Sequence, residues 1–364
     1  MDALDDVLQI EKQLVQKATF AHIPLGGTFE LLPLCNMHCE MCYIRMNQAE
    51  INAAGERLRT VEEWLQIAEQ MKQRGTLFLL LTGGEPFLYP GFSELYRGLK
   101  KMGMILTINT NGTLITEEIA QLLGEDKPRR VNITLYGASN ETYEKICHTP
   151  HGFDQTIRGI RLLQQQGVDV KLNGTLVPEN QHELEQLYRI AAELGLYLKV
   201  DSYLFPLQQR SRKKFNPQSR LAAQQAAHCY LQSQWAEHPP EWFMGYREYT
   251  LNHVRPAADM DTALHCRAGK SSFWIRWDGK MTPCVFMDNP AVDVFAQGFD
   301  QAWATIVEQT KELCLPPVCG DCEYKEVCQV CGAAAQCETG NLTDRPVYIC
   351  EYTKAIVKEL EEQQ

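Results

Sequence analysis

Short apolar runs alternate along the chain with longer stretches in which apolar residues recur every three or four positions. From Thr28 onward the short runs predict strands and the amphipathic stretches predict helices, which is typical of a parallel sheet with crossover helices. The sequence therefore predicts an α/β fold. The six predicted strands are Thr28–Leu34, Leu77–Leu81, Met104–Asn109, Arg130–Tyr136, Val168–Leu176 and Tyr197–Tyr203.

The first crossover helix carries the clearest start signal. Thr60-Val61-Glu62-Glu63 is a capping box, and an apolar stripe follows it as far as Gly75. The later crossover helices are predicted at Phe92–Met102, Thr116–Leu123, Phe153–Gln165 and His182–Leu194. Beyond the sixth strand, a polar region is predicted to be helical from Gln218 to Trp235 and to end at a boundary at Pro239-Pro240.

Composition and charge limit the kinds of function that this protein can have. The 364 residues are 45% hydrophobic, enough for one large domain and a smaller one, and the net charge of -11 argues against nucleic acid as a partner. No apolar run has the length of a membrane span, and no secretion signal is visible, so we expect a cytoplasmic protein. A basic cluster at 210–214, with Arg220 nearby, predicts a solvated loop or a docking site for an acidic peptide.

The chain's fourteen cysteines are read as metal ligands of a reducing compartment and not as disulfides. Cys35, Cys39 and Cys42 form a C-x3-C-x2-C run directly after the first strand. Three thiolates in so short a loop can ligate three corners of a cubane iron-sulfur cluster and leave one iron open. The alternative is a zinc site or a trio of redox thiols.

About forty residues after this run comes Gly83-Gly84-Glu85-Pro86. Together the two motifs resemble the radical S-adenosylmethionine (SAM) superfamily. The resemblance implies a partial (β/α)6 TIM-type barrel with its ligands at the carboxyl ends of the strands, and reductive cleavage of SAM at the open iron to methionine and a 5′-deoxyadenosyl radical. In the family the Gly-Gly-Glu-Pro element binds the amino group of SAM.

The predicted SAM contacts lie in the cysteine run or at strand ends. They are Tyr43, Gly83, Gly84, Glu85, Asn109, Asn111, Thr134 and Asn173. The alternative for Asn111 is an ordinary Asn-Gly turn, and the alternative for Thr134 and Asn173 is a strand-end polar group with a partner inside the protein.

A second cysteine array occupies the last hundred residues, and the stretch 273–281 between its first two members predicts a hairpin closed by Asp-Gly. Eight cysteines complete two four-cysteine sites, and a pair of zinc knuckles is the alternative. The array is similar to the SPASM extension of radical SAM enzymes, which implies two auxiliary 4Fe-4S clusters. We assign the first to Cys266, Cys284, Cys331 and Cys337, and the second to Cys319, Cys322, Cys328 and Cys350.

Three cysteines fall outside both arrays: Cys147, Cys229 and Cys314. Isolated cysteines are usually small buried apolar residues. A hydrogen-atom donor among them is the alternative, with Cys229 or Cys314 favoured by position. The sequence assigns no catalytic residue.

The resulting division is an N-terminal extension (1–27), a small α/β barrel with the radical SAM motifs (28–204), a helical linker (205–262) and a cysteine-rich SPASM domain (263–364). The expected cofactors are SAM and three 4Fe-4S clusters. The expected partners are a peptide or protein substrate and a reductant such as flavodoxin or ferredoxin. Only 27 residues precede the first strand, too few for a peptide-recognition domain, so a leader peptide is bound by a separate protein or by the SPASM region, or the substrate is short.

The leading hypothesis is oxidative modification of a ribosomally made peptide, by a thioether or C–C crosslink or a related change. Sulfatase-maturase-like oxidation is an alternative, although Val285 stands where such relatives carry an aspartate. Peptide epimerisation, small-molecule dehydrogenation and a non-enzymatic electron-transfer protein remain open.

Overall fold

The structure is a computed structural model that describes residues 3–206, 214–255, 262–264 and 266–362. Most of the predicted basic cluster, residues 210–213, lies outside the described residues. Arg220 is described, and it forms an ion pair with Glu338. Arg220 therefore does not extend a basic patch.

The six predicted strands are confirmed. They form parallel neighbours in chain order, so each pairs with the next. Their bounds are β1 Gly26–Glu30, β2 Phe78–Thr82, β3 Ile105–Thr110, β4 Arg130–Thr134, β5 Val170–Thr175 and β6 Leu198–Asp201. The first strand begins two residues earlier than predicted and ends at Glu30, because the chain then leaves the ladder for the cysteine run.

Helices cover the outer face of this sheet and surround the cysteine-rich region. The α-helices are α1 Ala3–Phe20, α2 Gln48–Ala53, α3 Val61–Gln73, α4 Phe92–Lys101, α5 Glu117–Glu125, α6 Asn140–Cys147, α7 Gly152–Gln165, α8 Leu184–Glu193, α9 Ala223–Glu237, α10 Pro240–Asn252, α11 Val294–Gln297, α12 Phe299–Thr310, α13 Gly332–Thr339 and α14 Val347–Glu362. Short 3-10 helices occupy Pro86–Leu88, Gln181–Glu183, Pro217–Ser219 and Pro317–Cys319.

The predicted capping box is confirmed at the start of α3. Thr60 Oγ1 accepts from the Glu63 amide at 3.3 Å, and a Glu63 carboxylate oxygen accepts from the Thr60 amide at 2.8 Å. Pro239-Pro240, predicted to be a boundary, lies between α9 and α10 and places a proline in the first turn of α10. A proline at this position removes no hydrogen bond from the helix, because the first amides of a helix have no partner within it.

Alternation along the strands separates two faces. On β3, Leu106 and Ile108 are fully buried in the main hydrophobic core, whereas Thr107 and Asn109 are half-buried on the opposite, concave face. The same alternation on β4 and β5 places Thr134 and Asn173 opposite each other on that face. The polar residues at the strand ends therefore line the inside of the barrel.

The sheet does not end at β1. Three strands of the cysteine-rich region extend it: β7 Ser272–Ile275, β8 Lys280–Thr282 and β9 Val292–Asp293. β7 pairs in parallel with β1, and the predicted hairpin is confirmed, since β7 and β8 are antiparallel around Gly279, whose φ is +84°. This pairing satisfies backbone groups that an edge strand would leave open. The boundaries of the predicted domains stay a prediction.

No helix in the described part of the chain has both the length and the apolarity that crossing a membrane requires.

Candidate active site and cysteine groups

The loop that carries Cys35, Cys39 and Cys42 is fixed to the Gly-Gly-Glu-Pro element by backbone hydrogen bonds. Gly84 N donates to Leu32 O at 2.7 Å, and Glu85 N donates to Leu34 O at 2.9 Å. A Cβ atom on Gly84 would lie 2.2 Å from Leu34 O, a distance that real side chains do not reach. In this structure the second glycine therefore admits the backbone that leads into the cysteine loop.

The three thiols are close enough to perturb one another. Burial, followed by the negative charges of Glu85, Cys42 and Cys39, raises the pKa of Cys35 to about 12. Burial and then Cys39 raise the pKa of Cys42 to about 11. Backbone amides already point at two of the sulfurs, since Met37 N donates to Cys35 and Arg45 N donates to Cys42, each at 3.4 Å.

This donor set fits an iron-sulfur cluster. Buried thiolates that repel one another need a cationic group to stabilise them, and coordination to iron supplies it. A cluster has several metal atoms, so its cysteines need not converge on one point. Within the described residues, no three His, Cys, Asp or Glu side chains are placed to hold a single metal ion.

Glu85 is fully buried, and its carboxylate joins the ends of β2 and β3. It accepts from Thr110 Oγ1 at 2.7 Å, from Asn111 N at 2.9 Å and from Phe87 N at 3.2 Å. Burial raises the pKa of this carboxyl to about 7. Contact between Glu85 and the SAM ammonium stays a prediction. In this structure the carboxylate holds the end of β3 against the Gly-Gly-Glu-Pro element through these hydrogen bonds.

Asn111 connects the third strand to the cysteine loop. Its amide nitrogen donates to Asn36 Oδ1 at 3.0 Å and lies 3.7 Å from Cys35 Sγ, and its oxygen accepts from the Thr113 amide and hydroxyl. Asn36 in turn donates to Thr113 Oγ1 at 2.8 Å. Asn111 is buried, and its role in this structure is to position Cys35. Its contact with SAM stays a prediction.

The other predicted SAM contacts lie where a ligand in the barrel mouth would meet them. Tyr43 is half-buried one residue after Cys42. Asn109 is bonded to Asn132 Nδ2 at 2.8 Å, and the half-buried Thr134 and Asn173 share the concave face. Their contacts with SAM stay predictions.

Sequence reasoning missed the surroundings of Cys39. Cys147 belongs to the apolar cluster that Cys39 and Tyr136 pack against, and the neighbouring Cys147 side chain, followed by burial, raises the pKa of Cys39 well above its ordinary value. Cys229 is buried on α9 and Cys314 is exposed. Cys147, and not either of these two, is therefore the extra thiol beside the cysteine loop. No local sequence signal could have revealed it, because α6 brings it there.

In the first predicted auxiliary group, the charge of one cysteine raises the pKa of another. Burial, followed by the charges of Cys331 and Cys266, raises the pKa of Cys284 to about 12. Burial, followed by Cys284 and Cys331, raises the pKa of Cys337 to about 12. Thiols that act on one another in this way lie near one another, and the ligand assignment stays a prediction.

The second predicted group surrounds a cavity of about 470 Å³. All four of its cysteines line that cavity: Cys319, Cys322, Cys328 and Cys350. Burial and then the other three thiols raise the pKa of Cys319 to about 11. Thr353 Oγ1 donates to Cys328 Sγ at 3.3 Å, and Arg345 Nε lies 3.5 Å from Cys350 Sγ. A thiol-lined cavity fits a second cluster, and the ligand assignment stays a prediction.

Residues 29–191, which contain the cysteine loop, the Gly-Gly-Glu-Pro element and the ends of β3 to β5, match the family described as the radical SAM superfamily. This part of the chain belongs to the radical SAM superfamily. Membership implies SAM and a 4Fe-4S cluster for the barrel. The residues that would hold this cluster are the three thiols of the loop, which supply the donor set described above.

Relatives of this radical SAM protein extend the similarity beyond the barrel. The AdoMet-dependent heme synthase of Methanosarcina barkeri is 26% identical over 343 residues, which cover 89% of this chain and 95% of that protein. The antilisterial bacteriocin subtilosin biosynthesis protein AlbA of Bacillus subtilis is 25% identical over 273 residues, or 72% of this chain and 55% of AlbA.

The radical SAM fold also aligns with Streptococcus suis SuiB bound to its precursor peptide SuiA. The TM-score is 0.69 at 16% identity, and the alignment covers 96% of this chain and 82% of SuiB. An alignment of this extent includes the cysteine-rich region. It confirms the predicted fold, a partial barrel with a small cysteine-rich C-terminal region.

Proposed function

We propose that this radical SAM enzyme oxidatively modifies a ribosomally synthesised peptide, by forming a thioether or C–C crosslink or a related bond. The observation that carries the proposal is the presence of two further groups of four cysteines beside a complete radical SAM loop. Additional clusters give the substrate a place to deliver a second electron, which oxidation needs and simple hydrogen abstraction does not.

The concave face of the barrel suits a peptide. On β3 to β5 it carries mainly neutral amides and hydroxyls, which can donate to and accept from a peptide backbone. The cations of this face on these three strands are Arg130, which is bonded to Asp169 at 2.8 Å, and Lys171, whose ammonium lies 5.5 Å from the centre of the Tyr197 ring. The neutral polar positions on this face are Thr107, Asn109, Asn132, Thr134, Asn173 and Thr175.

The reaction balances as the loss of two hydrogens. When bound, the barrel cluster supplies one electron that divides SAM into methionine and a 5′-deoxyadenosyl radical. As the new bond forms, the peptide would lose one hydrogen atom, one electron and one proton, which together are two hydrogens. The two groups of four cysteines would hold clusters that could accept the electron, and solvent would take the proton. The protein's own part is to orient the peptide on the concave face and to exclude water.

Several parts of this proposal share the same support. The SAM contacts predicted at the strand ends, the two auxiliary 4Fe-4S clusters and a flavodoxin-like or ferredoxin-like reductant all follow from the three-cluster interpretation. A separate leader-binding protein and a cytoplasmic location belong to the proposal as well.

Haem formation is the second candidate, because the similarity to the Methanosarcina protein runs over more of this chain than the similarity to AlbA. A carboxylate-bearing porphyrin would need cations to bind its carboxylates. The concave face of β3 to β5 offers Arg130, already paired with an aspartate, and Lys171. This charge pattern favours the peptide.

The test is anaerobic reconstitution with iron and sulfide, followed by incubation with SAM, dithionite and synthetic peptides from short reading frames beside the gene. We expect 5′-deoxyadenosine in step with a peptide that has lost the mass of two hydrogens. The control is Cys42→Ala, which should yield neither product. If an iron porphyrin loses carboxyl groups while every peptide returns unchanged, the haem candidate replaces this proposal.

A further inference from the structure

An apolar groove lies on the outside of the barrel, between α8 and the two helices of the linker, α9 and α10. Its volume is about 570 Å³, within the range of ligand-binding clefts. Each wall presents two residues that are four positions apart: Leu184 and Tyr188 on α8, and Leu231 and Trp235 on α9. Such residues lie one above the other on a helix, so each wall is one helical turn long.

The groove exposes a large aromatic ring. Trp235 is 53% exposed, and its ring meets that of the buried Phe243 edge to face, with 5.0 Å between the ring centres. Phe243 therefore fixes one side of the indole and leaves the rest to solvent. On the opposite wall the Tyr188 hydroxyl donates to Glu237 at 2.8 Å, which fixes the tyrosine ring. Fixed aromatic side chains with an open surface are frequent anchors for a partner.

The charged residues that line the groove give it a negative potential. They are Glu185 of α8, Glu359 of α14 and His228 of α9. His228 Nδ1 lies 2.8 Å from a Glu359 carboxylate oxygen, and the histidine can offset at most one of the two negative charges. Among the described residues that line the groove, none is a lysine or an arginine. The groove therefore matches a ligand that carries cationic groups beside apolar ones, and it repels an acidic one.

The groove lies at one edge of the barrel and not on its concave face. β6 is the last strand of the sheet on this side, and Glu237 of α9 accepts a hydrogen bond from Val200 N of β6 at 3.1 Å. The same carboxylate holds Tyr188, so the wall of the groove is connected directly to this edge strand. A peptide bound here keeps the bound segment outside the barrel, while a later segment can pass the edge of the sheet to the concave face.

We propose that this groove binds a basic, amphipathic helical segment of the peptide substrate, a segment that is not itself modified. The apolar side chains of the segment lie against Trp235 and Leu231, and its lysines or arginines lie beside Glu185 and Glu359. Helices bind grooves of this kind through anchors three or four residues apart, the spacing that both walls present. The inference rests on the proposed peptide substrate. Because the walls are one turn long, the groove holds a short part of a leader and leaves the remainder to the separate leader-binding protein.

The first test measures binding to the reconstituted full chain by fluorescence anisotropy. The probe is a fluorescein-labelled synthetic helix of leucine and lysine, about four turns long, with the leucines on one face. In its counterpart every lysine is replaced by glutamate, and we expect this counterpart to bind at least about tenfold more weakly. The Kd of the lysine probe should rise about tenfold in Trp235→Ala and about threefold to tenfold in Glu185→Gln combined with Glu359→Gln.

Two matched variants outside the groove serve as controls. Trp242→Ala removes an indole of α10 that is 42% exposed and does not line the groove. Glu94→Gln combined with Glu117→Gln removes two exposed carboxylates, one on α4 and one on α5. Both controls should leave the Kd of the lysine probe within about twofold. Glutamine keeps the size of the glutamate it replaces, and circular dichroism checks that every variant is folded.

The second test uses the synthetic peptides from neighbouring reading frames with SAM and dithionite. For a peptide that the unaltered chain modifies, the two groove variants should raise KM about threefold to tenfold. They should leave kcat and the yield of 5′-deoxyadenosine at saturating peptide unchanged, because the groove lies outside the barrel. This division between KM and kcat separates substrate binding from damage to the reaction site.

Three results would overturn the inference. If both groove variants leave the Kd of the probe or the KM of a modified peptide unchanged, the groove is not the binding site, while the proposed function stands. If the unaltered chain modifies no peptide, the proposed function fails, and the role of the groove in substrate binding fails with it. A dimer that Trp235→Ala dissociates in analytical ultracentrifugation would make the groove an interface between two copies of this chain.

Discussion

Arg220 and Glu338 form an ion pair that is almost completely buried between the linker and the cysteine-rich region. The arginine nitrogens lie 2.7 and 3.0 Å from the two carboxylate oxygens, and the two side chains are 13% and 6% exposed. The guanidinium also lies 3.7 Å from the centre of the Tyr348 ring. Glu338 directly follows Cys337, so this pair supports the first auxiliary group.

We predict that Arg220→Ala destabilises the protein by about 3–5 kcal/mol, the usual range when one partner of a buried pair is removed. After the substitution the Glu338 carboxylate keeps the hydrogen bond from the Tyr203 hydroxyl at 2.6 Å, but it loses both bonds to the guanidinium. The cost arises because a charge remains buried without its counter-ion. Removing both charges, in Arg220→Ala with Glu338→Ala, should cost less than the sum of the two single changes.

A surface pair gives the matched control. Arg74 and Asp300 are 2.6 Å apart, but their side chains are 53% and 64% exposed. Arg74→Ala should cost about 1 kcal/mol or less, because water solvates the remaining carboxylate. The shortest N–O distances of the two pairs are nearly the same, so distance does not separate their energies. The difference should come from burial and from the second hydrogen bond and the Tyr348 contact of the buried pair.

The assay is urea unfolding of reconstituted protein without oxygen, followed by circular dichroism, with iron counted per chain in each variant. The shift in midpoint multiplied by the slope gives the change in the free energy of unfolding. Equal costs for Arg220→Ala and Arg74→Ala at equal iron content would refute the reasoning. So would a double variant that costs the full sum of the single ones.

Three further predictions concern the cysteine loop. Gly84→Ala should lower the unfolding midpoint and deplete the SAM cluster, since its Cβ would lie 2.2 Å from Leu34 O; Gly245→Ala, with no atom within 4 Å, should change stability by about 1 kcal/mol or less in thermal unfolding. Asn111→Ala should weaken the electron paramagnetic resonance signal of the cluster that responds to SAM and leave the signals of the auxiliary clusters unchanged. An unaltered SAM-responsive signal would contradict the role of Asn111 in positioning Cys35. Cys39→Ala should abolish 5′-deoxyadenosine formation and retain about eight of about twelve irons; loss of all iron would contradict the partition.

Local patterns predicted much of this fold correctly. The six strands were predicted from the local spacing of apolar residues and the capping box at Thr60 from hydrogen bonds between residues three apart, and the structure confirms both. The hairpin around Gly279 was predictable for the same reason. Contacts between positions far apart in the chain were not predictable. The pairing of β7 with β1 was missed because the sequence of a strand does not specify which strand it pairs with.

The candidate site divides in the same way. The sequence by itself determined the family, through three closely spaced cysteines and a Gly-Gly-Glu-Pro element, because ligand spacing in a short loop is a local property. Only the tertiary structure decided which way the polar groups turn. Glu85 and Asn111, predicted to contact SAM, are buried and hydrogen-bonded to their protein neighbours, and Cys147 meets the cysteine loop from another helix. Such contacts exist only after strands and helices pack, since burial and the partners it brings are properties of the whole fold.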